Sequence, residues 1–301
     1  MTRPDNPVLI VNPRSGGGKA IRFDLVAQCR ARGIEPIVFE PGADLSALAA
    51  AAVRNGADAL GMAGGDGSQA AVAAVAAEHD LPFVCVPAGT RSHFAFDLGI
   101  DRHDVVRSLD AFADGVERRI DLGRVNGRVF VNNVAMGFYD AVVQSPEYRD
   151  HKIRTMIERL PTLIGSNAEP FDLRFRGPRG GAHRGAALLL VSNNRYDVEP
   201  RPGRGTRGAL QSGMLGVLAL AGPPPSGRLE WSAPTFRVES ATTVLAGIDG
   251  ESVEIEPPLE FESVPQSLRV RVAARPSRRR PVPVQARPVK RRSARPVDQD
   301  G

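Results

Sequence analysis

The 301-residue sequence predicts an α/β domain followed by an all-β domain, on three observations. Strand-like apolar runs alternate four times with helical patterns up to residue 113. A series of short alternating segments then takes over, opening around Asn126-Gly127, the strongest two-residue hairpin signal in the chain. The length also exceeds what one core usually serves. The first part reads as a Rossmann-like three-layer α/β domain over residues 1–121 and the second as an antiparallel β-sandwich over 122–274, with a tail at 275–301.

In the first part, Pro7–Val11 reads as a strand, 20–32 as a helix closed by Gly33, and 35–40 as a second strand. Residues 43–55 read as a helix ended by Gly56, 58–62 as a strand, the Ala-rich 69–78 as a helix, 83–86 as a strand and 103–113 as a helix. Such alternation favours a parallel sheet covered by helices, with ligands bound at the carboxyl ends of its strands. In the second part, strands are expected at 118–125, 128–135, 171–175, 186–192, 214–220, 235–239, 242–248, 252–256 and 268–272. The exception is 147–160, where Ile153, Met156, Ile157 and Leu160 recur at helical spacing beside Arg149, Lys152, Arg154 and Arg159. That helix fits either a membrane surface or its own domain.

Three glycine-bearing loops follow apolar strands in the first part: Asn12-Pro13-Arg14-Ser15-Gly16-Gly17-Gly18, Gly64-Gly65-Asp66-Gly67-Ser68 and Pro87-Ala88-Gly89-Thr90. Glycine lets backbone N–H groups approach an anion, and a following helix N-terminus adds partial positive charge, so the loops suit one phosphate site. Ser68 suits the N-cap of the next helix. Asp66 is either a turn-stabilising side chain or a carboxylate for Mg²⁺ or a substrate hydroxyl. Lys19 invites a P-loop reading, but Ala20 stands where that motif needs a hydroxyl, and the glycines lack the Gly-x-Gly-x-x-Gly spacing of a dehydrogenase. Asp249-Gly250-Glu251 is an acidic hairpin turn by itself; with the upstream loops it suggests a kinase, Asp249 being expected to point to the same side as Glu251.

The net charge of +5 is concentrated at one end. Residues 275–301 hold nine Lys or Arg against two Asp, which leaves the preceding residues at a net −2. This Pro- and Arg-rich tail is expected to be disordered, and to be drawn to anionic lipid if it has a function. It carries no aromatic residue to stack bases, so nucleic-acid binding is disfavoured. No apolar run is long enough to span a bilayer, and no signal peptide is evident. Cys29 and Cys85 lack metal-ligand spacing and read as buried thiols of a reducing compartment.

Asn-Pro-x-Ser-Gly, Gly-Gly-Asp-Gly-Ser, Pro-x-Gly-Thr and a late Asp-Gly-Glu, in this order, resemble the diacylglycerol kinase catalytic-domain family, which includes bacterial lipid kinases and sphingosine kinases. Residues 132–141 are similar to the family's Asn-x4-Gly-Phe segment, and 191–194 to its strand ending in Asn. The resemblance spans 8–272 and implies an ATP- and Mg²⁺-dependent lipid kinase whose site lies in a cleft between the domains. It implies that Asn12, Pro13, Ser15 and Gly16 line the nucleotide phosphates, with Gly64, Gly65, Asp66, Gly67 and Ser68 as a second wall and Thr90 as a third. Glu251 matches the family's proton acceptor, and Asp66 and Asp249 are candidates for catalysis and for the metal. The expectation is a cytoplasmic protein associated peripherally with an anionic membrane through the tail or helix 147–160, with oligomeric state open, a homodimer included.

Two departures stand out. Ser92 and His93 occupy positions where many relatives carry Asn and Asp; His93 would contact phosphate or pack at a helix start. Residues 211–216 lack both Asp residues of a segment that binds a structural Mg²⁺ in some relatives, so that metal is not carried over. Two rivals remain: a non-catalytic lipid- or nucleotide-binding protein that keeps the fold, and an NAD kinase, whose Asn-Glu pair is missing at both Asn132-Asn133 and Asn193-Asn194.

Overall fold

The computed structural model describes residues 3–137, 171–197, 207–220 and 227–274. The expected helix at 147–160 and the basic tail lie outside them. The first part is a parallel sheet of β1 (Pro7–Val11), β2 (Glu35–Val38), β3 (Ala59–Ala63) and β4 (Pro82–Val86), in the order β2-β1-β3-β4. β1, β3 and β4 are buried at every residue because helices cover both faces. On one face α3 (Leu45–Arg54) and α4 (Asp66–Glu78) pack Ala49, Ala52, Val72 and Ala73 against Val8, Ile10, Leu60 and Met62. On the other, α2 (Leu25–Arg30) and α6 (Ala111–Asp114) place Leu25, Cys29 and Phe112 on Leu9 and Val84. A β-carbon on Gly61 would lie 2.7 Å from the Phe112 ring, so a bare backbone lets that helix approach.

Three helical expectations change. Residues 20–32 form two pieces, α1 (Lys19–Arg22) and α2, because Asp24 takes a left-handed φ of 47°. Residues 103–113 contain only a 3₁₀ turn, Arg107–Asp110, and α6; the Asp101 and Asp104 carboxylates accept from the His103 and Arg107 amides and compete with helical bonding. A short α5 (His93–Asp97), too brief to show periodicity, adds to the expected helices and begins at His93, as one of the two readings of that residue had it.

The second part builds on the same sheet. β16 (Leu259–Ala273), far longer than expected, pairs with β13 (Thr235–Glu239) along its first residues and runs parallel to β4 along its last. β5 (Gly115–Val125) lies antiparallel to it and turns through Asn126-Gly127, φ 44° and 81°, into β6 (Arg128–Phe130). β8 (Phe171–Arg176) and β9 (Ala182–Ala186) complete a sheet that, among the described residues, has ten strands and runs through both parts; residue 121, the expected boundary, falls inside β5. A separate antiparallel sheet has the order β12 (Arg228–Ala233), β11 (Leu215–Leu220), β10 (Leu188–Asn193), β7 (Asn133–Gly137), β14 (Val244–Ile248), β15 (Glu251–Ile255). It closes over Phe130, Leu189, Val191, Phe236 and Phe261 as the expected sandwich. The edge strand β12 was not anticipated, and 128–135 divides into β6 and β7, which belong to different sheets.

Candidate active site

All three glycine loops meet at the carboxyl ends of β1, β3 and β4. The Asn12 amide donates to Ala63 O at 2.9 Å, and its Oδ1 accepts from the Arg14 amide at 3.0 Å, which turns the chain through Pro13 into a 3₁₀ turn, Ser15–Gly17. Gly16 has φ 57°, and a β-carbon there would run into Ala88 O. One on Gly89 would lie 2.7 Å from Gly65 Cα and 3.0 Å from Gly64 O, and Ser15 Oγ faces Gly65. Only bare backbone allows the loops this close. Thr90 is exposed beside them. Lys19 Nζ donates to Gly89 O at 2.9 Å, a tie between the first and third loops; burial, with Arg102 and Arg22 nearby, lowers its pKa. The sequence signal for Lys19 was present, but it matched the wrong motif.

The second loop leads directly into α4, with Gly65 rather than Ser68 at the cap position; Ser68 lies inside the first turn. Gln69, buried, donates to Met62 O and Val86 O and ties the ends of β3 and β4. Asp66 turns to the third loop: Oδ2 accepts from the His93 amide and Oδ1 from the Phe94 amide, both at 3.1 Å. It thus satisfies the first amides of α5. His93 begins that helix with an exposed ring, while Ser92 is buried with φ 51°.

Asp249 and Glu251 approach from the antiparallel sheet and point different ways. Asp249 is a turn residue with φ 49°, so strand alternation does not govern it. Its carboxylate turns inward: Oδ2 accepts from the Val131 amide at 2.8 Å, and Oδ1 from those of Asn132 at 2.7 Å and Asn133 at 3.1 Å. Desolvation pushes its pKa up to about 7, with Asp66 adding to the rise and the three amides opposing it. Glu251 points out, its Oε2 3.7 Å from Arg128 Nη2, and rests on Gly67, where a β-carbon would overlap its carboxylate. The contact brings the late Asp-Gly-Glu to the glycine loops.

A buried ion pair unsuspected from the sequence lies behind this turn. Arg207 Nε contacts Asp97 Oδ2 at 2.7 Å, with both side chains fully shielded from solvent. Arg207 also donates to Val131 O, Asn193 O and Asn132 Oδ1. Nothing local marks Arg207, whose partners lie far away in sequence. Near the altered 211–216 segment, buried Asp121 accepts from the Gly213 and Gln266 amides. Cys29 and Cys85 are both buried, with thiol pKa values pushed up by desolvation. A cavity of about 1190 Å³ over Phe175, Trp231 and Phe236 is lined by none of the glycine-loop residues.

Among the described residues, no group of three or more His, Cys, Asp or Glu is placed to hold a metal ion. Mg²⁺ in phosphate-transfer sites, however, needs only one or two carboxylates besides phosphate and water. Asp66 and Asp249 are both half-buried and both have their two oxygens engaged by backbone amides, so either would offer Mg²⁺ only the lone pairs those bonds leave. No helix among the described residues is long and apolar enough to cross a membrane.

A family model described as the diacylglycerol kinase catalytic domain matches residues 6–125. A diacylglycerol kinase of Mycobacterium tuberculosis H37Rv is 32% identical over 173 residues, 55% of this chain and 55% of its own length, so the chain spans about half of that relative. A probable YegS-like lipid kinase of Pseudomonas aeruginosa PAO1 is 27% identical over 300 residues, 90% of this chain and 95% of the relative. A crystal structure of a diacylglycerol kinase from Bacillus anthracis superposes with a TM-score of 0.66 over 92% of this chain and 99% of that one; at 17% identity this speaks for the fold alone. Residues 6–125 thus match the diacylglycerol kinase catalytic-domain model, within a chain similar along most of its length to a probable YegS-like lipid kinase.

Proposed function

We propose that this protein transfers the γ-phosphate of ATP to the hydroxyl of a lipid at the cytoplasmic surface of a membrane. The observation that carries the reading is the seat of Glu251 on Gly67, which sets an outward carboxylate beside the phosphate-type loops. The loops around Gly16, Gly65 and Gly89 would hold the phosphates through backbone N–H groups and the start of α4. Glu251, steadied by Arg128, would accept the proton of the lipid hydroxyl as its oxygen bonds to the γ-phosphorus and the bond to ADP breaks. Asp66 would hold Mg²⁺, which neutralises charge on the phosphates when bound. Asp249 would keep the turn in place from below, holding the backbone at Val131, Asn132 and Asn133.

The test is transfer of labelled γ-phosphate into a panel of lipids in mixed micelles, with NAD as a soluble acceptor. One labelled lipid, lost in Glu251→Gln while ATP still binds, is the expected result. Transfer to NAD alone would make it an NAD kinase. ATP binding with transfer to nothing would overturn the reading in favour of a non-catalytic protein.

A further inference from the structure

Between the two inner carboxylates of the site runs a continuous polar connection. The Asp66 carboxylate holds the N-terminal amides of α5, and Asp97, the last residue of that short helix, holds Arg207 through Nε at 2.7 Å and through the backbone amide at 3.3 Å. Arg207 Nη1 then donates to Val131 O at 2.6 Å and Asn193 O at 2.8 Å, and Nη2 to Asn132 Oδ1 at 2.9 Å. The amides of Val131, Asn132 and Asn133 are those held by Asp249, whose own amide returns a bond to Asn133 O at 3.0 Å. This backbone is gripped by a cation on its carbonyl side and a carboxylate on its amide side. Tyr196 closes the cluster, its ring 5.9 Å from the guanidinium carbon and its hydroxyl accepting from Asn133 Nδ2 at 2.8 Å.

We propose that the Asp97–Arg207 pair is a latch between the two parts of the molecule, and that Arg207 is a positioning residue holding the Asp249-Gly250-Glu251 turn in register with Gly67. Only a planar fork of donors serves three oxygen acceptors and an ion pair together, which a lysine cannot do. Stability alone is a weak reason for such a pair, since apolar residues of similar volume commonly replace a buried ion pair without loss. The latch rests on the kinase reading for its activity readout but not for its structural one.

The test compares wild type with Asp97→Leu/Arg207→Met, which removes both charges at once, and with Arg207→Lys, which keeps the charge and carries the same readouts if the double variant does not fold. Amide exchange at Val131, Asn132 and Asn133 should quicken about tenfold or more while Leu60 and Met62 in β3 stay protected. Lipid phosphorylation should lose about 100-fold in kcat, with the Kd for ATP within about twofold of wild type. Unchanged exchange at 131–133 overturns the latch, as does kcat within about threefold of wild type once exchange has quickened. A loss of ATP affinity as large as the loss of kcat also overturns it, because the pair would then support the fold at large. If wild type phosphorylates no acceptor, the kinase reading fails and the exchange comparison alone decides the latch.

Discussion

The carboxylate of Glu251 lies against Gly67 so closely that a methyl group on the glycine would overlap it. One residue opens β15 of the antiparallel sheet and the other sits in the first turn of α4, 184 positions apart in the sequence. The start of α4, beside the glycine loops, and an outward carboxylate thereby share one wall.

Gly67→Ala separates this contact from stability. Alanine is the better helix former by up to ~1 kcal/mol, so the melting temperature should hold or rise. The methyl group must displace Glu251, and lipid phosphorylation should fall by roughly 100-fold, the scale of loss that an ångström of misplacement brings. Activity that follows the melting temperature upward would show that the contact is incidental.

Gly16→Ala tests the junction of the first and third loops. The substitution puts a methyl group into Ala88 O at a φ of 57°, and the left-handed backbone adds about 1–3 kcal/mol of strain. Calorimetric titration should show ATP affinity weakened about tenfold or more while lipid binding persists.

Asp249 makes stability depend on pH in an unusual direction for a carboxylate. Its folded pKa of about 7 lies above the ordinary value of 3.8, so the native state binds this proton more tightly than the unfolded chain. Its contribution is present at low pH and is lost as pH rises through about 7. Against Asp249→Asn, which cannot titrate, the stability advantage of wild type should shrink between about pH 5 and pH 8 in urea melts. An advantage that grows with pH would mean the three amides outweigh desolvation.

Gln69 is the buried tie between β3 and β4. Replacing it with leucine leaves Met62 O and Val86 O without this donor and should lower stability by about 1–3 kcal/mol, read as an earlier denaturation midpoint with unchanged slope. Glutamate there would set a carboxylate against two carbonyl oxygens and should be worse.

Much of this protein was determined by its sequence alone, where short-range rules apply. Pro7–Val11 and Ala59–Ala63 lie within a residue of expectation because unbroken apolar runs suit a sheet covered on both faces. The Asn126-Gly127 turn follows from the two positive φ angles it demands, and the glycine loops from the close approach that only glycine permits. Tertiary structure decided the rest. Asp24 broke a helix that composition favoured, and β16 ran on from the sandwich to pair with β4, a partner no local pattern names. Asp249 turned inward and Glu251 outward because a turn residue escapes the alternation of a strand. Arg207 found Asp97, Val131 and Asn193 across up to 110 positions of sequence. A buried charge is placed by partners that only folding brings together, whereas a glycine turn is placed by the dihedral angles of its own residues.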